Sequence, residues 1–399
     1  MKININKVRI VPQEINSELE FCVFGEPDEG IKEWCKHHGF ETYKSEHYTN
    51  IRIVKDISMF ELFEQKPEFD YLDGFSPNLN KKLHIGHFSN LVLAKAFKSL
   101  GICKQTISIF GDTLEPQGFK DEALRLAEGY FKQFGYKPDK YFYASRMELK
   151  ENILKDGTGE YEGAKIIEAG NEKIVAIKSN GYTTYFYQDV ALAQKLSAPT
   201  LYLTGKEQDN HFASLKKLFP LTEHIGLGLV KISGKKMASR TGNVILIEDF
   251  INAVKDNFDN DYNLIYNVFA GYILKSNPNV DKNINLDVIE NPKNSAGLYI
   301  SYTMARLKSA GLKFDVRPTF YSSKLEFAYI KARYNYAPNV FFEALVEHCR
   351  EINQLYIEHT IRDNEKNKKM FSERLSDLLL GCHALGLFDI EKVSKKEYA

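Results

Sequence analysis

Phe69-Asp-Tyr-Leu-Asp73, Gly74-Phe-Ser-Pro-Asn-Leu-Asn-Lys-Lys-Leu83 and His84-Ile-Gly-His-Phe-Ser-Asn-Leu-Val-Leu-Ala-Lys-Ala-Phe-Lys-Ser-Leu100 follow one another without a break. The first stretch can form a strand, and the second is a loop of Gly, Ser, Pro and Asn. The third carries apolar residues at helical spacing and stops at Gly101. The β-rich run Gln105-Thr-Ile-Ser-Ile-Phe110 comes next. A strand–helix–strand unit favours a parallel sheet with a right-handed crossover, so the expected fold class is α/β.

The loop before this helix predicts a phosphate seat. A helix start presents unpaired N–H groups and the positive end of its dipole. His84 and His87, three apart, can lie on one side of the first turn and donate from their ring nitrogens. Gly86 between them lets a flat ring such as adenine approach closely. Two histidines at a helix start also fit simple capping or a metal pair, although no carboxylate or cysteine cluster follows nearby to complete a metal site.

Working outward, 399 residues imply two or three domains, and an apolar share of 43% indicates a soluble globular chain. Lys+Arg and Asp+Glu each number 53, which argues against a polybasic coat but leaves room for a local basic groove. Cys22, Cys35, Cys103, Cys349 and Cys382 are scattered and odd in number, as suits a reducing compartment rather than a disulfide framework. The start lacks an apolar signal core, and no run approaches the ~20 apolar residues that span a bilayer. A cytoplasmic location without membrane contact is expected.

Residues 1–68 read as a small N-terminal α+β module with no chemical signature. Residues 69–285 carry the strand signals, including Lys173-Ile-Val-Ala-Ile-Lys178, Tyr182-Thr-Thr-Tyr-Phe-Tyr187 and Thr200-Leu-Tyr-Leu-Thr204. Residues 286–399 read as a helical domain, with amphipathic helices expected at 299–312, 341–359 and 367–386. The cluster Lys366-Asn-Lys-Lys369 reads as a solvated helix start.

A second segment, Lys235-Lys-Met-Ala-Ser-Arg-Thr-Gly-Asn243, places ammonium groups on a glycine-flanked loop after His224-Ile-Gly-Leu-Gly-Leu-Val230. Such a loop suits charge developing on pyrophosphate. The two segments together resemble the HIGH and KMSKS signatures of class I aminoacyl-tRNA synthetases. Ser76-Pro-Asn, Lys81 and His84-Ile-Gly-His87 are most similar to the arginyl-tRNA synthetases. Gly111-Asp112 followed by Gln117-Gly118 matches that family more loosely.

The resemblance implies a Rossmann-like catalytic domain with a C-terminal all-α anticodon-binding-like bundle. It implies ATP and Mg²⁺ as cofactors, L-arginine as substrate and tRNA as partner. By carry-over, His84, His87, Lys81 and Lys236 would be catalytic, and Gly86, Gly228, Lys235 and Ser239 would join them around ATP. Ser239 stands where the signature has its second lysine, and Lys81 or Lys235 would supply the missing cation. A guanidinium needs planar acceptors, and the resemblance assigns Tyr185 and Asp189 to that task. Asp73 stands where the family usually has glutamate. Asn78 and Gln208 would bind the substrate's α-amino and carboxylate ends.

Asn294-Ser-Ala-Gly-Leu-Tyr-Ile-Ser-Tyr-Thr-Met-Ala-Arg306 resembles the family's junction with its bundle. Family members commonly carry a larger N-terminal domain that contacts tRNA. Three functions therefore stand open: an arginine–tRNA ligase, a paralogue delivering arginine to a small-molecule or peptide acceptor, and a non-catalytic RNA-binding relative.

Overall fold

The computed structural model describes residues 1–11, 19–54, 57–66, 68–79, 81–112, 117–149, 153–233, 245–289, 291, 294–316, 318–359, 361 and 364–393. The chain divides into two compact units. One joins residues 1–67 to 302–383, and the other joins 68–301 to 384–399.

In the first unit, β1 (Arg9–Ile10) and β2 (Glu20–Phe24) precede α1 (Glu29–His38). Then come β3 (Glu41–Ser45), β4 (Tyr48–Arg52) and the single turn α2 (Met59–Leu62). The strands form an antiparallel sheet in the order β1-β2-β4-β3. Asp28 starts α1 by accepting from the Ile31 N–H at 2.9 Å. Gly39 ends it in the left-handed region at φ 71°. Phe21 and Val23 of β2, Ile51 of β4 and Trp34 of α1 form an apolar core with Phe63.

The second unit is built from β5 (Phe69–Asp73), α3 (Ile85–Ser99), β6 (Cys103–Phe110), α4 (Gln117–Gln133) and β7 (Lys140–Tyr143). A small antiparallel sheet of β8 (Lys155–Asp156), β9 (Lys165–Ala169) and β10 (Glu172–Ile177) follows. The chain continues through α5 (Tyr185–Leu196), β11 (Thr200–Gly205), α6 (Asp209–Leu218), β12 (Thr222–Leu227), β13 (Val230–Ser233), α7 (Ile247–Val254), α8 (Tyr262–Leu274), β14 (Lys282–Asn285) and α9 (Ala296–Ser309).

The main sheet is parallel throughout, in the order β12-β11-β5-β6-β7. The strand–helix–strand unit expected from the sequence is β5-α3-β6. Beyond β5 the chain winds one way through β6 and β7, then the other way through β11 and β12. The winding direction therefore changes between β5 and β11, where the carboxyl ends of the strands open a crevice.

One expected strand is a helix. Residues 182–187 are all aromatic or Thr, types enriched in strands, yet α5 begins at Tyr185 because Thr184 is its N-cap. The Thr184 hydroxyl accepts from the Tyr187 N–H at 3.4 Å and donates to the Val175 carbonyl at 2.8 Å. Buried Phe186, Val190 and Ala193 then repeat at helical spacing.

Helices α10 (Ser323–Asn335), α11 (Pro338–Glu358) and α12 (Glu365–Ala384) complete the chain's helical part. The sequence foresees α9, α11 and α12 but not α10. Buried Asp377 of α12 accepts from the Tyr321 and Ser322 N–H groups at 2.7 and 2.8 Å, just before α10 starts. Phe327 and Ile330 of α10 sit in the same core as Phe21 and Trp34. The division between the units falls between Ser301 and Tyr302, inside α9, where the sequence suggests a boundary near 285.

After α12 the chain re-enters the second unit. Leu385, Leu387 and Ile390 are buried there, and Asn267 of α8 clamps the Phe388 backbone, accepting at 2.8 Å and donating at 2.9 Å. Among the described residues no helix is long and apolar enough to cross a membrane.

Candidate active site

The loop between β5 and α3 is tied to the sheet. The Ser76 hydroxyl donates to Asp73 and accepts from the Ile109 N–H of β6 at 2.8 Å. Leu79 N–H donates to the Gly111 carbonyl at 2.8 Å, so the loop runs alongside the end of β6. A Cβ on Gly111 would lie 3.2 Å from Asn78, which favours glycine at that crossing.

The mouth of α3 differs from the sequence expectation in an informative way. Its N–H groups are already satisfied. His84 is the N-cap, and its Nδ1 accepts from the Gly86 N–H at 3.1 Å. His87 Nδ1 accepts in turn from the His84 N–H at 3.1 Å, completing a reciprocal capping box. Ile85 N–H donates to the Ile245 carbonyl at 3.0 Å. What the helix mouth presents is therefore the pair of rings rather than bare backbone.

The two imidazoles stack with centroids 3.9 Å apart. Because each Nδ1 is an acceptor, a neutral ring carries its proton on Nε2 and presents an outward donor. Burial pushes His87 down to about 3, with His84 and Lys81 adding to the effect. Burial, then the Lys81 charge, also lowers His84. Both rings are thus neutral near pH 7, and they combine capping with Nε2–H donation. Gly86 has a local role here, since a Cβ would lie 2.9 Å from the His84 ring.

The residues read as a side-chain pocket come together around the crevice. Asp73 ends β5 and is only 4% exposed. Burial pushes its carboxyl up to about 7, against the Ser76 hydroxyl bond and with help from the Asp189 charge. Asn78 Nδ2 donates to the Tyr185 hydroxyl at 2.8 Å, across 107 residues of sequence. Asp189 lies one turn beyond Tyr185 on α5. Gln208 is exposed at the start of α6, just past the end of β11.

His211 was not singled out by the sequence, although it lies in the Gly205–Phe212 stretch. Its Nε2 meets Asp189 Oδ2 at 2.7 Å, and both side chains are largely buried. Its ring packs edge-on against Phe186 at 5.3 Å. Its one sequence signal is position, since 208 and 211 share a face of a helix.

Lys81 is exposed beside the histidines. Lys235, Lys236 and Ser239 lie outside the described residues. The described ends of their segment are informative. β13 ends at Ser233, and the chain resumes with Leu246 bridged antiparallel to His84 and Ile247 N–H bonded to the Leu83 carbonyl at 3.1 Å. The residues that follow the second signature, 245–247, thus pair with 83–85 at the start of the first. Gly228 sits against backbone instead of open space, since a Cβ there would come within 2.2 Å of Val280. Among the described residues no cluster of three or more His, Cys, Asp or Glu could hold a metal ion.

Known proteins share both the sequence pattern and the fold. Over 330 residues the chain is 27% identical to the arginine–tRNA ligase of Limosilactobacillus reuteri, covering 68% of this chain and 58% of that protein. The chain is thus similar in sequence to arginine–tRNA ligases. The arginine–tRNA ligase of Streptococcus thermophilus is 30% identical over 241 residues, covering 51% of this chain and 43% of that protein. The chain therefore spans less than two thirds of the length of these curated proteins. The Thermus thermophilus arginyl-tRNA synthetase shares its fold, with a TM-score of 0.64 and 13% identity over 96% of each chain. No family model matches the chain.

Proposed function

We propose that this protein activates L-arginine with ATP as arginyl-adenylate and transfers the arginyl group to tRNA. The observation that carries the reading is the hydrogen bond from Asn78, on the loop that joins Asp73 to His84 and His87, to Tyr185 of α5, the helix that also carries Asp189. The carboxylates would hold the guanidinium, with Asn78 and Gln208 at the α-amino and carboxylate ends. The substrate carboxylate attacks the α-phosphate, a mixed carboxylic–phosphoric anhydride forms as the bond from the α-phosphorus to the bridging oxygen breaks, and pyrophosphate leaves.

Two neutral Nε2–H donors would hold phosphate oxygens as charge builds on them. Lys81, with Lys235 and Lys236, would add cationic charge, and Ser239 and the Gly228 turn would border the same nucleotide. Mg²⁺ would arrive on the phosphates of ATP and share their charge.

Pyrophosphate exchange with arginine and with lysine, each with and without total tRNA, tests this reading. Arginine-dependent exchange supports it, and charging of tRNA fixes the acceptor. Exchange without any tRNA charging would instead favour a small-molecule or peptide acceptor. No exchange under any condition rejects the activity and leaves the RNA-binding relative.

A further inference from the structure

Tyr202 lies on β11 in register with Asp73 of β5, so both side chains leave the same face of the sheet. That face is covered by α5 and α6: the Tyr202 ring shares a core with Phe186 and Val190 and packs on Phe212 at 4.7 Å. Its Oη is sealed from solvent and has no hydrogen-bond partner among the described residues. Burial raises the phenol, and the charges of Asp189 and Asp73 raise it further, so both carboxylates act on the same buried hydroxyl.

An orphaned phenol on the same sheet face as Asp73, in a core shared with the helix that carries Asp189, calls for a reason, because buried hydroxyls are nearly always bonded. A guanidinium offers five N–H donors in a plane, and two carboxylates can meet only part of that set. A phenol can donate its hydrogen to a carboxylate and accept an N–H on its lone pair.

We propose that Tyr202 Oη is a third acceptor for a guanidinium held between Asp73 and Asp189, and so helps select a planar cation over an ammonium. The inference rests on the arginine reading above. Tyr185, 54% exposed, and Asp189 then form the mouth of the pocket, with Asp73 and Tyr202 as its floor.

Tyr202→Phe removes one oxygen and keeps the ring. L-arginine and L-lysine binding is measured by calorimetry on the intact protein, alongside ligand-free melting. Arginine affinity is expected to fall about 10- to 100-fold, as for a hydrogen bond to a charged group, with the arginine-to-lysine ratio shrinking too. Ligand-free melting should be unchanged or raised, because the hydroxyl lost had no partner.

Tyr266→Phe is the control. Its hydroxyl on α8 is likewise buried and unpartnered among the described residues, but burial alone shifts it. It should leave arginine binding untouched. Wild-type arginine affinity in Tyr202→Phe overturns the inference and points to a water or to simple strain at Oη. A wild-type protein that binds no arginine sinks the functional reading itself, and this inference with it.

Discussion

Asp73 is held between two demands. Its carboxyl is buried and keeps its proton up to about pH 7, yet a bound guanidinium favours the ionised form. Arginine affinity is expected to rise as pH climbs through about 7 and then level off. Asp73→Asn should flatten that step and weaken binding throughout, as titration calorimetry across the range would show. The stability effect has the opposite sign. The folded value lies above the ordinary 3.8, so the folded state binds the extra proton and loses stability as pH rises between the two. Above neutrality, Asp73→Asn should therefore be more stable than the parent by roughly 2–4 kcal/mol. A variant less stable there, by chemical denaturation, would contradict the assignment. The acidic position was legible in the sequence, but its proton was not, since that depends on Ser76, on Asp189 and on burial.

At the level of helices, α3 shows how one residue can serve structure and chemistry with different atoms. Nδ1 of His84 caps the helix, and Nε2 remains available as a donor. His84→Asn keeps a good cap and removes that donor. Melting should move by less than about 1 kcal/mol, while adenylate formation drops about 10²- to 10³-fold. His84→Ala should lose about 1 kcal/mol of stability in addition. Equal activity of His84→Asn and the parent in pyrophosphate exchange would remove His84 from the chemistry. The periodicity of α3 was plain from its apolar spacing. The start of α5 was not, because Tyr182 to Tyr187 is made only of aromatic and Thr residues, the types enriched in strands. The Thr184 bonds to β10 outweigh that local pattern.

For the molecule as a whole, the last described residues belong to the second unit although α10, α11 and nearly all of α12 belong to the first. Ending the chain after Ala384 would remove buried Leu385, Leu387 and Ile390 and leave the Asn267 amide of α8 without the Phe388 backbone. At about 1.5–3 kcal/mol per aliphatic side chain, the loss rivals the stability of a typical domain. The truncated protein should melt far below the parent and lose arginine binding. A truncated form that melts like the parent would show that this segment is dispensable.

Local rules accounted for much of the chain: strand, loop and helix follow from periodicity and turn residues within windows of about 10–18 positions. Those rules reached β5-α3-β6, the parallel sheet and the two histidines. Family resemblance then supplied Asn78, Tyr185, Asp189 and their order. Pairings between distant surfaces lay beyond both. Phe21 and Trp34 pack with Phe327 and Ile330 of α10, and His211 meets Asp189 across 22 residues. Apolar spacing marks a face for burial but does not name the face it meets. That choice, and with it the protonation of Asp73 and the isolation of Tyr202, arises when complementary surfaces exclude water together.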